Sequence, residues 1–210
     1  MTVKRSNLRI ELNLQIFGGR GSSGSRGGGK SGGGGGKTFT TLTSDEENAV
    51  FFDDMEREFD RELTTNEKAA LSGYTMYDSD VINAGLRADN LDPDYDKTVD
   101  RLDSAIGKFD LTDNVTVYRA GGSDIAVDFK AYASTSTSRA KAEEYLNNNT
   151  DTLYEIKLSK GHGKGAYIAK YSEVPEEHEF LLKRGSKPTV SGSRTEKING
   201  KSRKVVTLHL

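Results

Sequence analysis

The stretch DYDKTVDRLDSAIGKFDLTDNVTVYRA, residues 94–120, contains the change of hydrophobic period that decides the fold class. In its first part, apolar residues recur at the spacing of one helical face, at Tyr95, Val99, Leu102 and Ile106. From Asn114 onward, apolar and polar residues alternate, which is typical of a half-buried strand. The stretch therefore predicts a helix followed by a strand.

Helical patterns lie before this stretch and strand patterns lie mostly after it. Upstream, SDEENAVFFDDMEREFD sets Phe52, Met55 and Phe59 on one stripe, and TTNEKAAL opens with a capping box from Thr64 to Glu67. Helices are also predicted over 78–88 and 138–146, and strands over 131–136, 152–158, 165–169, 179–185 and 187–190. Asn199-Gly200 between alternating runs predicts a final hairpin. Helices first and strands later indicate an α+β domain, which we assign to residues 38–210.

The first 37 residues differ from the rest of the chain. Residues 8–17 alternate apolar and polar, so segment 1–17 is either a peptide that adds to a partner's sheet edge or apolar surface, or a disordered terminus. Residues 18–37 contain twelve glycines and are predicted to be a flexible linker. GSRGGGKS, residues 24–31, matches the P-loop pattern, but five glycines follow Ser31 where a phosphate-binding loop needs a helix. We therefore expect no nucleotide there.

Composition excludes several classes of site. The chain of 210 residues has no cysteine and three histidines without metal-ligand spacing, so we expect no disulfide and no metal. No run of 18 apolar residues is present, so no membrane span is expected. The net charge of −2 argues against specific nucleic-acid binding. Without a signal peptide, the expected location is the cytoplasm of the producing cell, unless another route carries the protein out.

Three short motifs in the strand-rich half carry polar groups suited to a binding site. VYRAGG places Arg119 at the end of an apolar strand, and YASTSTS places Ser134 and Ser136 on one face of another. EVPEEHEFLL brings Glu177 and Glu179, two residues apart, to the mouth of a third strand. In isolation, each motif is better explained by ordinary surface structure: a surface cation, a loop and a solvated run of charges.

Together, and in this order, the motifs resemble those of the mono-ADP-ribosyltransferases, in the branch with an Arg, a Ser-Thr-Ser and a Glu-x-Glu. That branch includes the enzymatic components of binary toxins and phage-encoded enzymes. YDSDVINAGLR is similar to the family's helix with an Asn and an Arg four apart, here Asn83 and Arg87. The resemblance implies N-terminal helices packed on a two-sheet, mostly antiparallel β-sandwich with an NAD cleft. Ala120 departs from the glycine that many relatives have after the arginine.

The resemblance also implies roles for these residues. Arg119 and Arg87 would bind the NAD diphosphate, because guanidinium groups match phosphate oxygens. Glu179 would be the catalytic glutamate, which stabilises the charge of an oxocarbenium-like transition state, and Ser134 would hold it. The implied NAD-binding set is Asn83, Arg87, Arg119, Ser134, Thr135, Ser136 and Glu179.

The acceptor is implied by Glu177, because a glutamate at this position accompanies arginine targets in the branch. A carboxylate pairs with a guanidinium and can take its proton. Tyr171, in the preceding loop, is a candidate for stacking on the target arginine. His178 is expected to point away from its two glutamate neighbours.

The predicted function is therefore transfer of ADP-ribose from NAD to arginine on a target protein, with release of nicotinamide. Two alternatives remain: an NAD glycohydrolase that uses water as acceptor, and an inactive structural or adaptor protein of a virion. NLQIFGGRGSSGS, residues 13–25, weakly resembles the openings of phage head-associated proteins. The N-terminal segment could accordingly bind a phage head or a host protein, and the protein could enter a host cell with a virion.

Overall fold

The computed structural model describes residues 37–122 and 129–210, so the predicted segment 1–17 and all but the last residue of the predicted linker 18–37 lie outside it. Five α-helices are described: α1 (Asp45–Glu62), α2 (Thr65–Gly73), α3 (Ser79–Arg87), α4 (Asp96–Lys108) and α5 (Arg139–Glu144). A π-helical turn, Tyr74–Asp78, joins α2 to α3, and 3-10 turns occupy Pro93–Tyr95, Ala169–Tyr171 and Pro175–Glu177. Nine strands lie within the described residues: β1 (Asp110–Leu111), β2 (Val115–Gly121), β3 (Ala133–Ser136), β4 (Thr152–Leu158), β5 (Gly161–His162), β6 (Gly165–Tyr167), β7 (Glu179–Leu182), β8 (Thr189–Ile198) and β9 (Lys201–His209).

The helices begin where their sequences supply caps. Ser44 caps α1 by accepting a hydrogen bond from the backbone of Glu47, and Thr64 and Glu67 form the predicted capping box of α2. Glu67 also binds the Lys108 ammonium at 2.7 Å, which ties α2 to α4. The same residues that start α2 therefore fix its place in the helical layer.

Seven strands form one sheet in the order β6-β7-β3-β2-β4-β9-β8, and β1 pairs with β5 in a smaller sheet. Between the nine named strands, the described pairings are antiparallel except that of β4 with β9. Asn199 and Gly200 both have positive φ in the turn between β8 and β9, as the predicted hairpin requires. The prediction of helices on mostly antiparallel sheets is confirmed.

The large sheet divides between β2 and β3. The register there includes a single described pair, Tyr118 with Ser136, whereas β2 and β4 are in register over seven pairs. β3, β7 and β6 therefore form one half of the sheet and the other four strands form the second half. Polar side chains at this junction can reach a common cleft.

The helical layer packs on the half of the sheet that contains β7. Phe52 of α1 stacks on Tyr167 with ring centroids 4.0 Å apart, and Phe109 meets both Phe59 and Phe180 edge to face. Phe52 and Phe59 are 1% and 2% exposed, as their predicted stripe requires. This aromatic cluster anchors the strand that begins with Glu179.

The Gly-rich tract GHGKGAY, residues 161–167, forms two short strands. Its ends form β5 and β6, and a Cβ on Gly165 would lie 2.4 Å from the Leu181 carbonyl oxygen. Gly165 therefore permits close pairing of β6 with β7.

Within residues 37–122 and 129–210, no helix has the length and apolar character to cross a membrane.

Candidate active site

A polar cleft lies between α3 and the junction of β2 with β3. It is lined by Ser79, Asp80, Asn83, Arg87, Arg119, Tyr132 and Ser134. Four of these residues, Asn83, Arg87, Arg119 and Ser134, belong to the set predicted to bind NAD. The structure thus brings together residues from three elements that are distant in the sequence.

Three buried atoms in this cleft have no hydrogen-bond partner among the described residues: Asn83 Oδ1, Arg87 Nε and Arg119 Nε. Buried polar groups without partners are costly, and they are rare in folded proteins. A polar, anionic ligand would supply acceptors for both guanidinium groups. The donor set therefore fits the diphosphate of NAD.

Arg119 and Arg87 are two like charges that lie close together and are partly buried. The pKa of Arg119 is lowered to about 10, mainly by burial and in part by the nearby charge of Arg87, and the group stays protonated at neutral pH. Burial also lowers the pKa of Arg87. Arg119 is held by donation from Nη1 to the Ser134 backbone oxygen, and Asn83 is held by donation from Nδ2 to the Tyr74 hydroxyl at 2.8 Å. An anion between the two guanidinium groups would relieve their repulsion.

Glu179 is the first residue of β7 and is 7% exposed. Burial raises the pKa of its carboxyl group to about 7, the neighbouring Glu177 also raises it, and the Ser134 hydroxyl and Arg119 lower it. Ser134 and Arg119 are thus shared between the cleft and the buried carboxyl.

Glu177 lies at the end of a 3-10 turn, and not on the extended segment that the two-residue spacing predicted. The intervening His178 has a left-handed backbone, with φ of 50°, so the strand begins only at Glu179. Burial raises the pKa of the Glu177 carboxyl, and a hydrogen bond from the Tyr145 hydroxyl lowers it. Two carboxyl groups with raised pKa values therefore lie beside one another.

His178 points away from both glutamates. Its ring nitrogens contact the Tyr167 hydroxyl at 3.0 Å and the Asp45 carboxylate at 2.9 Å, both in the helical side of the molecule. This placement agrees with the prediction from its neighbours' spacing, although the cause is the left-handed residue and not strand alternation.

The three side chains of the Ser-Thr-Ser motif make different contacts. Ser134 faces the cleft, but Thr135 is 1% exposed and donates to the Phe180 backbone oxygen at 2.6 Å. Ser136 is also buried, and its hydroxyl donates to the Glu177 backbone oxygen at 2.6 Å. Thr135 and Ser136 therefore brace the β3–β7 segment, and the structure does not place their side chains at the NAD cleft.

Tyr171 lies in the core, contrary to the prediction that it stacks on a target arginine. It is 8% exposed, its ring packs edge-on against Phe59, and its hydroxyl donates to Asp60 at 2.6 Å. These contacts hold the ring inside the domain, where it is not available to stack on a target arginine.

Sequence reasoning missed Tyr145 and Tyr132. Tyr145 follows the helix directly after the Ser-Thr-Ser strand, and its hydroxyl reaches Glu177 across 32 positions of sequence. Tyr132 lines the cleft, while its hydroxyl donates to Asp103 at 2.8 Å. The one available signal was proximity to the motif, since Tyr132 stands two residues before Ser134.

The arrangement combines a site for an anion with two neighbouring carboxyl groups. Within the described ranges 37–122 and 129–210, no group of His, Asp and Glu could hold a metal ion. The side chains available for chemistry are thus carboxyl, hydroxyl, amide and guanidinium groups.

Comparison with known sequences gives the same family. The family model for the ADP-ribosyltransferase exoenzyme matches residues 51–126 and 124–210. The NAD(+)--arginine ADP-ribosyltransferase EFV of Enterococcus faecalis is 36% identical over 102 residues, which cover 44% of this chain and 21% of the relative. The chain therefore spans about a fifth of the length of that curated relative.

Solved structures share the fold at low sequence identity. Plx2a, an ADP-ribosyltransferase toxin from Paenibacillus larvae, has a TM-score of 0.73 and 24% identity, with coverage of 82% of this chain and 98% of Plx2a. C3stau2 from S. aureus, solved with NAD, has a TM-score of 0.68 and 21% identity, covering 81% and 97%. Because the family model matches most of its length, and the fold is shared with these structures, the chain belongs to the ADP-ribosyltransferase exoenzyme family.

Proposed function

We propose that the protein transfers ADP-ribose from NAD to arginine side chains of a target protein. The observation that carries this proposal is the pair Glu177 and Glu179 beside a cleft with two guanidinium groups whose Nε atoms lack partners. The Enterococcus faecalis relative, named for NAD(+)–arginine ADP-ribosyltransferase activity, supports the same acceptor.

The first step is binding of the dinucleotide. Arg119 and Arg87 pair with the diphosphate, and Asn83 Oδ1 accepts a hydrogen bond from the ligand, which satisfies the three buried atoms. Arg119 is already fixed to the Ser134 backbone, so little ordering entropy is lost when it binds.

The second step is cleavage of the bond between nicotinamide and the ribose. The electron pair of this bond leaves with nicotinamide, and positive charge develops on the ribose carbon and ring oxygen. An ionised Glu179, held by Ser134, stabilises that charge. The carboxyl must lose its proton before it can act, since a neutral group gives little electrostatic stabilisation.

The third step is attack by the target guanidinium. A nitrogen of this group forms the new bond to the ribose carbon, and its proton passes to Glu177. A guanidinium is a poor nucleophile while fully protonated, so a carboxylate that pairs with it and accepts a proton assists the step. The raised pKa of Glu177 makes it a better proton acceptor than an ordinary glutamate.

Labelled NAD tests this proposal against its alternatives. The protein is incubated with NAD labelled in the adenylate part, with and without agmatine as a small guanidino acceptor, and with a host lysate. Label on agmatine and on arginine of lysate proteins supports transfer. Free ADP-ribose alone would support NAD hydrolysis, and the absence of NAD binding by calorimetry would support an inactive adaptor.

A further inference from the structure

We propose that Tyr145 is a positioning residue for the acceptor carboxylate, which its hydroxyl orients toward the incoming guanidinium. The inference rests on the proposed function and adds a specificity-determining residue to it. Tyr145 follows α5 directly, and its hydroxyl donates to Glu177 Oε1. Among the described residues, it is the one side chain that hydrogen-bonds this carboxylate.

Residue 177 is held at two points by the segment that contains α5. The Ser136 hydroxyl donates to the Glu177 backbone oxygen at 2.6 Å and accepts from the Ser138 backbone at 3.0 Å, where Ser138 is the N-cap of α5. Tyr145, just past the other end of α5, holds the side chain. The short helix therefore sets both the position and the direction of the Glu177 carboxylate.

Tyr145 is itself fixed by its surroundings. Its backbone oxygen accepts from the buried Thr150 hydroxyl at 2.5 Å. The turn between these two residues is joined to β9, because Arg203 Nη1 donates to the Asn147 backbone oxygen at 2.6 Å. A phenol held in this way loses little entropy when it orients a carboxylate.

One oxygen of the carboxylate is thus engaged by a neutral donor. Oε1 accepts the phenol, and Oε2 has no hydrogen bond from any described residue. The guanidinium of a target can then approach from the Oε2 side, while the phenol prevents rotation of the carboxylate. A tyrosine donor thereby favours a single geometry for the incoming group.

The charges around Glu177 make this donor important. Burial, Glu176 and Glu144 all favour the protonated carboxyl, and so does the nearby Glu179, whose own pKa Glu177 raises. Lys141 and the Tyr145 hydroxyl favour the ionised form. Loss of the Tyr145 hydroxyl would consequently raise the pKa of Glu177, so arginine transfer would require a higher pH.

Tyr145→Phe tests the inference, with Tyr171→Phe as matched control. Each variant loses one tyrosine–carboxylate hydrogen bond, to Glu177 or to Asp60, but the second joins Tyr171 to α1 and involves no residue that lines the cleft. Initial rates of transfer to agmatine, and of NAD hydrolysis without acceptor, are measured from pH 5.5 to pH 9 on the full chain. Tyr145→Phe is expected to lose about tenfold in transfer near pH 6 and much less near pH 8.5. Its KM for agmatine rises, whereas its KM for NAD and its hydrolysis rate match those of Tyr171→Phe.

Three outcomes would overturn the inference. A Tyr145→Phe transfer profile identical to that of the wild type would show that the phenol does not orient Glu177. An equal loss of transfer and hydrolysis at every pH would show a merely structural role. A wild-type protein that transfers nothing to agmatine or to protein would refute the proposed function, and the inference with it, which the wild-type assay alone reveals.

Discussion

Glu179 is a carboxyl group whose burial raises its pKa to about 7, close to the pH at which the site must work. A general consequence of such tuning is a reaction rate that depends on pH near neutrality. Ser134 and Arg119 limit the effect of burial, since both favour the ionised form. The residue is thus held between its two protonation states by groups that also line the cleft.

The first prediction concerns the pH dependence of catalysis. Because only the ionised Glu179 stabilises the ribose charge, kcat/KM for NAD should rise about tenfold for each pH unit below about 7 and level off above it. Steady-state NAD hydrolysis between pH 5 and pH 9 measures this profile. A flat profile through pH 7 would show that Glu179 is not the group that titrates.

The second prediction concerns stability, because the same shifted pKa affects folding. The folded-state pKa of Glu179, about 7, lies above the ordinary value of 4.5, so between these values the folded protein retains a proton that the unfolded chain releases. Stability therefore falls as pH rises through this window, and above pH 7 the buried carboxylate costs about 3 kcal/mol. Glu179→Gln resembles the protonated form and should raise the free energy of unfolding at pH 8 by about 2 kcal/mol, with little effect at pH 5.

Urea unfolding of the NAD-free protein and of Glu179→Gln at the two pH values measures this difference. The variant should also lose NAD cleavage. Equal stability differences at pH 5 and pH 8 would contradict the account of Glu179 burial.

At the scale of elements, the segment of β3 and α5 holds Glu177 at two points, its backbone oxygen and its side chain. Ser136 is the link between them, because its hydroxyl joins the Glu177 backbone oxygen to the N-cap of α5. Ser136→Ala should lower arginine transfer about threefold to tenfold, because the turn that carries Glu177 loses this contact. NAD hydrolysis, which depends on Glu179 in β7, should change by less than about twofold. An equal fall in both rates would place Ser136 in the ligand cleft and not in the support of Glu177.

The helices and strands show which features of the fold can be predicted from the sequence and which cannot. Local signals sufficed for the α2 capping box, the Asn199-Gly200 hairpin and the stripe of Phe52 and Phe59. The parallel pairing of β4 with β9 and the division of the sheet at β2 and β3 depend on contacts between distant segments. Periodicity carries no information about such contacts.

The same limit explains the errors at the site. The spacing of Glu177 and Glu179 suggested a strand, but a single left-handed residue, His178, reverses the local geometry. Tyr171 looked available because its loop is polar, yet its ring enters a core that the sequence does not display. Tyr145 was missed because its partner is 32 residues away. The site residues were implied by the resemblance, and the structure brings four of them to one cleft: Asn83, Arg87, Arg119 and Ser134.

At the scale of the whole molecule, the site is contained in the described domain. The residues that line the cleft lie on α3 and on elements after it. The start of the domain is attached to the sheet by residues that follow the Gly-rich tract, since Thr40 pairs with Val115 and the Asn114 amide donates to the Thr38 backbone oxygen. We propose that residues 1–37 serve docking or delivery, for which a phage head or a host protein is the expected partner.

Deletion of residues 1–37 tests whether catalysis is independent of the N-terminal segment. The shortened protein should keep kcat and KM for NAD and agmatine within about twofold of the full chain, because the described residues that line the cleft all follow residue 78 and are retained. Steady-state kinetics on both proteins provide the measurement. A tenfold loss of kcat/KM would show that the N-terminal residues take part in the site.

The central claim is that Glu179 serves cleavage of NAD and Glu177 serves the arginine acceptor, and Glu177→Gln tests it most directly. The amide preserves the shape of the side chain and can still accept the Tyr145 hydrogen bond, but it cannot take a proton from a guanidinium. With labelled NAD and agmatine at pH 8, the account predicts a fall of about 100-fold or more in transfer while NAD hydrolysis continues within a few-fold of the wild-type rate. Transfer to agmatine at the wild-type rate by Glu177→Gln would contradict it.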